Sequence, residues 1–162
     1  GNKISISNST SLQFLNNVSS WSYWIKLDNL TDTPQCLWAK SSDTSGGRLN
    51  SFVSINSNNS INIWTSGVSS TVTNVPNSDY QQWIHIVNVF DGLTSQIKTY
   101  VNGNLIETNT ATFTHSPTNV SPLFFGYNDV FSFPWYLRGK LDDVRIYNKI
   151  LTNNEIQTLY NE

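Results

Sequence analysis

Cysteine is almost absent from this chain. Cys36 stands alone, so no internal disulfide can form and no cysteine metal cluster can be built. In Gln35-Cys36-Leu37-Trp38 its thiol lies in a strand-like run and reads as a small buried apolar residue. Charge is scarce too, at 12% of residues, with a net of −2 and no basic run. That excludes a nucleic-acid backbone or an anionic membrane surface as an electrostatic partner. No apolar run approaches bilayer-spanning length, so membrane insertion is not expected. A secretory leader pattern is lacking as well. The chain opens on Gly1-Asn2-Lys3 and is expected to be one domain, residues 1–162, of a longer exported protein at the cell surface or outside the cell. Asn, Ser and Thr fill about a third of the positions, and aromatic residues 13%. So many aromatics exclude a disordered chain, and 162 residues suffice to bury a real core.

Short alternating or apolar runs separated by Asn/Ser/Gly/Pro clusters recur along the chain, which predicts an all-β sandwich or barrel. Strands are expected at Lys3–Ile6, Trp21–Leu27, Cys36–Lys40, Ser51–Ile55, Ser60–Thr65, Ser69–Val75, Trp83–Phe90, Ser95–Val101, Asn104–Thr110, Leu123–Gly126 and Gly139–Asn148. Asn102-Gly103 favours positive φ at both central positions and closes a two-residue hairpin. Ile97, Thr99, Val101 and Leu105 are expected on one side of it, Lys98 and Tyr100 on the other. Trp83-Ile-His-Ile-Val-Asn-Val-Phe-Asp-Gly92 is apolar on both faces and reads as a central strand. In Gly139-Lys-Leu-Asp-Asp-Val-Arg-Ile-Tyr147, Val144 and Ile146 share a face. Thr152 and Glu155 then have capping-box spacing, ahead of a helical stripe of Ile156, Leu159 and Tyr160.

As strings, four of these segments resemble the laminin-G-like, concanavalin A-like lectin/glucanase superfamily. The closing Gly139–Tyr147 strand with its Leu-Thr-x-x-Glu-Ile-x-x-Leu-Tyr helix, the Tyr-Val-Asn-Gly hairpin, the Trp-x-His strand ending in Phe-Asp-Gly92, and Ser22-Tyr-Trp-Ile-Lys26 follow in the family's order. The resemblance covers nearly the whole chain. It implies two antiparallel sheets packed face to face as a jelly roll, one curved into a groove. It also places Trp24 and Trp83 at positions that are structural in the family.

Hydrolases of that superfamily carry Glu-x-Asp-x-(x)-Glu on one concave strand, with two carboxylates close enough to act on one glycosidic bond. Only Glu107, Glu155 and Glu162 occur here, each alone in its segment. Adjacent Asp142 and Asp143 should point to opposite faces of a strand. His85 reads as a packed strand histidine and His115 as a loop residue. No Ser/His/Asp set is apparent, and no enzymatic activity is expected. In calcium-binding relatives the first Asp of the closing strand supplies a carboxylate. The resemblance therefore implies a structural Ca2+ held by Asp142, with a backbone carbonyl from the Ser45-Gly46-Gly47 loop and a donor near Gly1 or Asn2.

Sugar sites combine aromatic faces with amide and hydroxyl groups. The segment Gly126–Arg138 joins two strands, so it should lie at the surface, yet it is rich in aromatics. Tyr127, Asn128, Asp129, Phe131, Phe133, Trp135, Tyr136 and Arg138 are the expected ligand-binding residues; alternatively, several of the rings fold back over the core. Trp38 and Trp64, with Arg48 and Asn50, are secondary candidates. The expected function is a non-catalytic, lectin-like carbohydrate-binding module whose partner is a glycan or polysaccharide. The alternative is a structural or protein-binding adhesion or spacer domain of a cell-surface or virion protein.

Overall fold

A computed structural model describes residues 2–14, 17–28, 35–40, 49–55, 60–66, 70–76, 81–110, 121–128 and 135–162, with backbone alone at 49–55, 60–66 and 70–76. All eleven expected strands are present, their ends within three residues of expectation. In chain order they are β1 (Ile4–Ile6), β2 (Val18–Leu27), β3 (Gln35–Lys40), β4 (Leu49–Ile55), β5 (Ser60–Ser66), β6 (Ser70–Pro76), β7 (Ile84–Asp91), β8 (Gln96–Val101), β9 (Asn104–Thr110), β10 (Leu123–Phe125) and β13 (Gly139–Tyr147). A 3-10 turn at Thr10–Leu12 and two short strands, β11 (Tyr127–Asn128) and β12 (Trp135–Tyr136), are additions. The helix α1 spans Asn153–Asn161.

Two antiparallel sheets face each other. One runs β1-β10-β3-β4-β5-β6, the other β13-β2-β7-β8-β9. The alternation of β2 sends Trp21, Tyr23, Ile25 and Leu27 inward, and all four are buried. Between the layers Trp21 stacks on Trp38 at 4.0 Å with the rings 9° from parallel, and Phe14 and Phe90 close in on this pair. A buried polar ladder crosses three strands: the Tyr23 hydroxyl donates to Asn88 Oδ1 at 2.7 Å, and Asn88 Nδ2 donates to Thr99 Oγ1 at 3.2 Å. Lys40 is also buried. Its Nζ donates to Asn8 Oδ1 and the Ser121 carbonyl, tying the N-terminal turn to the approach to β10.

The outer face of the five-stranded sheet is covered by α1. Ile156 and Leu159 join Leu151 against Val87, Val89 and Tyr100. Thr152 caps the helix, accepting from the Glu155 N–H while Glu155 Oε2 accepts from the Thr152 N–H at 2.7 Å. Ser20 fixes the approach, donating to the Lys149 carbonyl and accepting from the Leu151 N–H. At the other end Gln157 donates to the Gly103 carbonyl in the hairpin turn, where Asn102 and Gly103 have φ of 48° and 75°. The hairpin corrects one expectation. The two-residue turn pairs Val101 with Asn104 and Tyr100 with Leu105, so Leu105 shares the side of Tyr100, away from the core between the sheets, and is exposed. The register shift comes only beyond it, where Thr99 pairs with Glu107.

Candidate functional site

The aromatic segment is anchored from both ends. Gly126, at φ 72°, donates its N–H to the Leu37 carbonyl and accepts from Leu137 N–H at 3.0 Å. The Arg138 N–H donates to Gln35 Oε1 at 2.7 Å, and its carbonyl accepts from the Asp28 N–H. Between these anchors Tyr127 pairs with Tyr136, and Asn128 with Trp135, as a two-stranded ribbon lying along β3. Trp135 covers Cys36 and Ala39 on the second face of β3, and Asn128 is 1% exposed. Burial pushes the Cys36 thiol pKa well up, which leaves it unreactive. Tyr127 and Tyr136 are half-buried, their ring centroids 5.1 Å apart, and Phe124 meets Tyr127 edge-on at 5.6 Å. Lys3 Nζ lies 4.3 Å from the Tyr127 ring centroid, within cation–π range.

Beside this ribbon the sandwich is open. β1 ends one sheet and β13 ends the other, and a cleft of about 970 Å3 runs between them. Its floor is apolar: Phe125, Leu137, Leu141, Val144 and Ile146, with Ile4 and Ile6 standing 62% and 42% exposed. Its rim is polar: Asn2, Lys3, Asp28, Arg138, Asp142 and Asp143, with Tyr136 at the ribbon end.

The two aspartates reach this rim through a β-bulge. β13 pairs Asp142 with Trp24 but Arg145 with Ser22, one residue more than β2 supplies. Asp143 absorbs the extra residue at φ 45°, a left-handed conformation that Asp tolerates better than most residues. Leu141, Val144 and Ile146 thereby all keep to the core side, and both carboxylates line the same surface. This corrects the expectation that adjacent aspartates point to opposite faces, which holds only for a regular strand. Asp142 Oδ1 accepts from the Asp143 N–H at 2.8 Å. The Asp143 carboxylate accepts a hydrogen bond from Arg145 Nε at 2.9 Å, and its other oxygen forms an ion pair with a terminal guanidinium nitrogen at 2.9 Å. Arg145 also reaches Glu162, and these contacts, Glu162 first, hold the guanidinium firmly protonated.

On the outer face the same bulge borders a second cleft of about 370 Å3, lined by Trp24, Trp83, Asp142 and Asp143. Trp24 lies over His85, ring centroids 5.1 Å apart, and stacks with Tyr160 of α1 at 5.8 Å. Trp83 precedes β7 and is 40% exposed. The expectation of Trp83 in the core is corrected: it has the parity of His85, so it faces outward, beyond the end of the covering helix.

The residues expected at a ligand site are thus divided. Tyr136 and Arg138 reach the large cleft together with Asp142; Tyr127 stays with Phe124 and Lys3; Trp135 and Asn128 are folded onto the sheet. Asp129, Phe131 and Phe133 lie outside the described residues, as do Gly46, Arg48 and the side chains of Asn50 and Trp64. Trp38 belongs to the core. Trp24 and Trp83 were assigned to the core by resemblance. The available signal was the parity Trp83–His85–Val87, which puts Trp83 on the outer face. For calcium, which takes six to eight oxygen ligands, the described residues supply Asp142 and an Asp143 already engaged by Arg145. Among them no three His, Cys, Asp or Glu side chains cluster. They do not make a calcium cage by themselves.

Two antiparallel sheets with an open, cleft-bearing edge and a helix on the outer face define a jelly-roll domain of the lectin-like class. Residues 1–157 match the family model for the concanavalin A-like lectin/glucanases superfamily, and the chain belongs to that superfamily. No curated protein sequence matches it. Among solved structures it is similar to domain 4 of AbnA, an extracellular arabinanase from Geobacillus stearothermophilus, in complex with arabinotriose. That likeness has 20% identity and a TM-score of 0.65 over 89% of this chain and 66% of that one, just under two thirds of its length. It is similar also to the IT-sialidase CBM40 of Ruminococcus gnavus bound to alpha2,3 sialyllactose, at 14% identity and TM-score 0.69 over 98% of each chain. A third likeness is to the receptor binding domain of botulinum neurotoxin C/D mosaic serotype, at 16% identity and TM-score 0.72 over 99% of this chain and 40% of that one. At these identities the likeness is one of fold.

Proposed function

We propose that this domain binds glycan without catalysis, as the carbohydrate-recognising part of a larger protein at or outside the cell surface. One observation carries the reading. The large cleft brings an aromatic ring and a guanidinium, Tyr136 and Arg138, together with the Asp142 and Asp143 carboxylates over an apolar floor. Sugars need this mixture, since their C–H faces meet rings and aliphatic walls while their hydroxyls take donors and acceptors. Solved relatives of the fold seen with arabinotriose and with sialyllactose support it. Commitments of the carboxylates support a non-catalytic role: Glu155 caps α1, and Glu162 and Asp143 hold Arg145. Among the described residues no helix is long and apolar enough to cross a membrane.

A glycan array comparing the natural protein with Tyr136→Ala and Arg138→Ala tests the proposal. Binding of at least one glycan, weakened tenfold or more in each variant (about 1.4 kcal/mol), is expected. No bound glycan overturns the function; equal binding by both variants overturns this cleft as the site.

A second reading, protein binding, is favoured by the exposure of Ile4 and Ile6 on an edge strand whose outer side has no strand partner among the described residues. Unpaired edges accept an added strand. Amides of Ile4–Ile6 should then gain hydrogen-exchange protection with a partner protein and lose it in Ile4→Lys; unchanged exchange with every partner tested argues against it. A structural calcium at Asp142 is a separate proposal, needing carbonyl donors outside the described residues, Gly46 among them. Excess EDTA should then lower the melting temperature of the natural protein but not of Asp142→Asn. An unchanged curve overturns it.

A further inference from the structure

Resting on the glycan reading above, we propose that the outer cleft between Trp24 and Trp83 is a stacking subsite for one neutral sugar ring. Among the described aromatic residues Trp83 alone is exposed, at 40%; the others are buried or half-buried. The Trp83 backbone leads directly into a buried central strand, Ile84 through Phe90, which fixes the point from which the indole projects. Trp24 packs against His85 and Tyr160, which also meet each other at 6.0 Å, and its backbone is paired on both sides, to β7 and to β13. The subsite therefore stands on rigid elements and loses little freedom when a ring settles on it.

The polar wall suits hydroxyl groups. Asp142 uses Oδ1 to accept from the Asp143 N–H, and its second oxygen takes no protein donor among the described residues. The Asp143 carboxylate is oriented by the two-point contact with Arg145. Ionised carboxylates only accept hydrogen bonds, so they match the hydroxyls of a neutral sugar and repel the carboxylate of an acidic one. Lys26 and Lys140 pair one register step along the same face, outside the residues that line the cleft, so they do not convert it into an anion site. Asp142 and Asp143 line both clefts. A glycan held at Tyr136 and Arg138 can thus continue across the bulge onto the two indoles, and the ligand is an oligosaccharide rather than a single sugar.

Titration of the 15N-labelled protein with laminaritriose, cellotriose, arabinotriose, galactotriose and α2,3-sialyllactose tests this. At least one neutral trisaccharide should move the indole N–H resonances of Trp24 and Trp83 and bind tenfold or more tightly than sialyllactose. Trp83→Ala should weaken that binding tenfold or more with the melting temperature kept, and Trp83→Phe should retain an intermediate affinity. Neutral binding that survives Trp83→Ala but is lost in Tyr136→Ala overturns the subsite and leaves the glycan reading standing. Sialyllactose binding as tight as the best neutral sugar overturns the neutral class. Binding of none of the five overturns the subsite, while the reading beneath it falls only if the glycan array shows no bound glycan either.

Discussion

His85 shows what one residue does in this fold. It is buried on β7 beneath Trp24 and Tyr160, its Nε2 sharing a hydrogen bond with Ser22 Oγ at 2.8 Å. Its Nδ1 is buried with no partner among the described residues. Burial is the main cause that pushes its pKa from 6.5 down to about 4; Asp143 raises it and Arg145 lowers it. Between those values the unfolded chain holds the proton and the folded chain does not. Stability attributable to His85 is therefore complete above about 6.5 and lost as pH falls toward about 4. The melting temperature should fall through that window in the natural protein and fall less in His85→Gln. Parallel pH profiles for the two proteins would show that His85 is not held neutral. That this histidine is a packed strand residue was legible in its apolar flanks; that it packs under the half-buried Trp24 was not.

At the scale of elements, local chemistry decided most of what formed. The Asn102-Gly103 turn and the Thr152–Glu155 capping box both follow from residue types at fixed spacing, and both are present. The cap matters because a helix as short as α1 is marginal alone and depends on docking and termini. Thr152→Ala should lower unfolding free energy by about 1 kcal/mol in urea titration; no change would mean that docking of Ile156 and Leu159 suffices. Contacts with Lys149, then with Thr152, draw the Glu155 pKa from 4.5 to about 2. Their contribution is present above about 4.5 and lost as pH falls toward about 2. The bulge in β13 was not legible. An extra residue in a strand is defined by what the neighbouring strand lacks, and Asp142-Asp143-Val144 reads locally as regular extended chain.

At the scale of the whole molecule, function depends on what the elements leave uncovered. The nine-residue helix reaches about 13 Å along the sheet. It covers Val87, Val89 and Tyr100 and ends beside Trp24, so Trp83 stays in water. The two sheets meet without closing, which opens the large cleft between β1 and β13. The aromatic segment folds partly back, Trp135 onto Cys36 and Ala39, leaving Tyr136 and Arg138 to that cleft.

The strands, the hairpin, the capped helix and the superfamily were determined by the sequence alone. Each rests on propensities and periodicities that act over a few residues. Which faces are covered, where β13 bulges, and how Trp24, Trp83, Asp142 and Asp143 come to share one cleft were decided only in the tertiary structure. Alternation tells which side chains share a face. Only the packing of distant elements tells which face meets water.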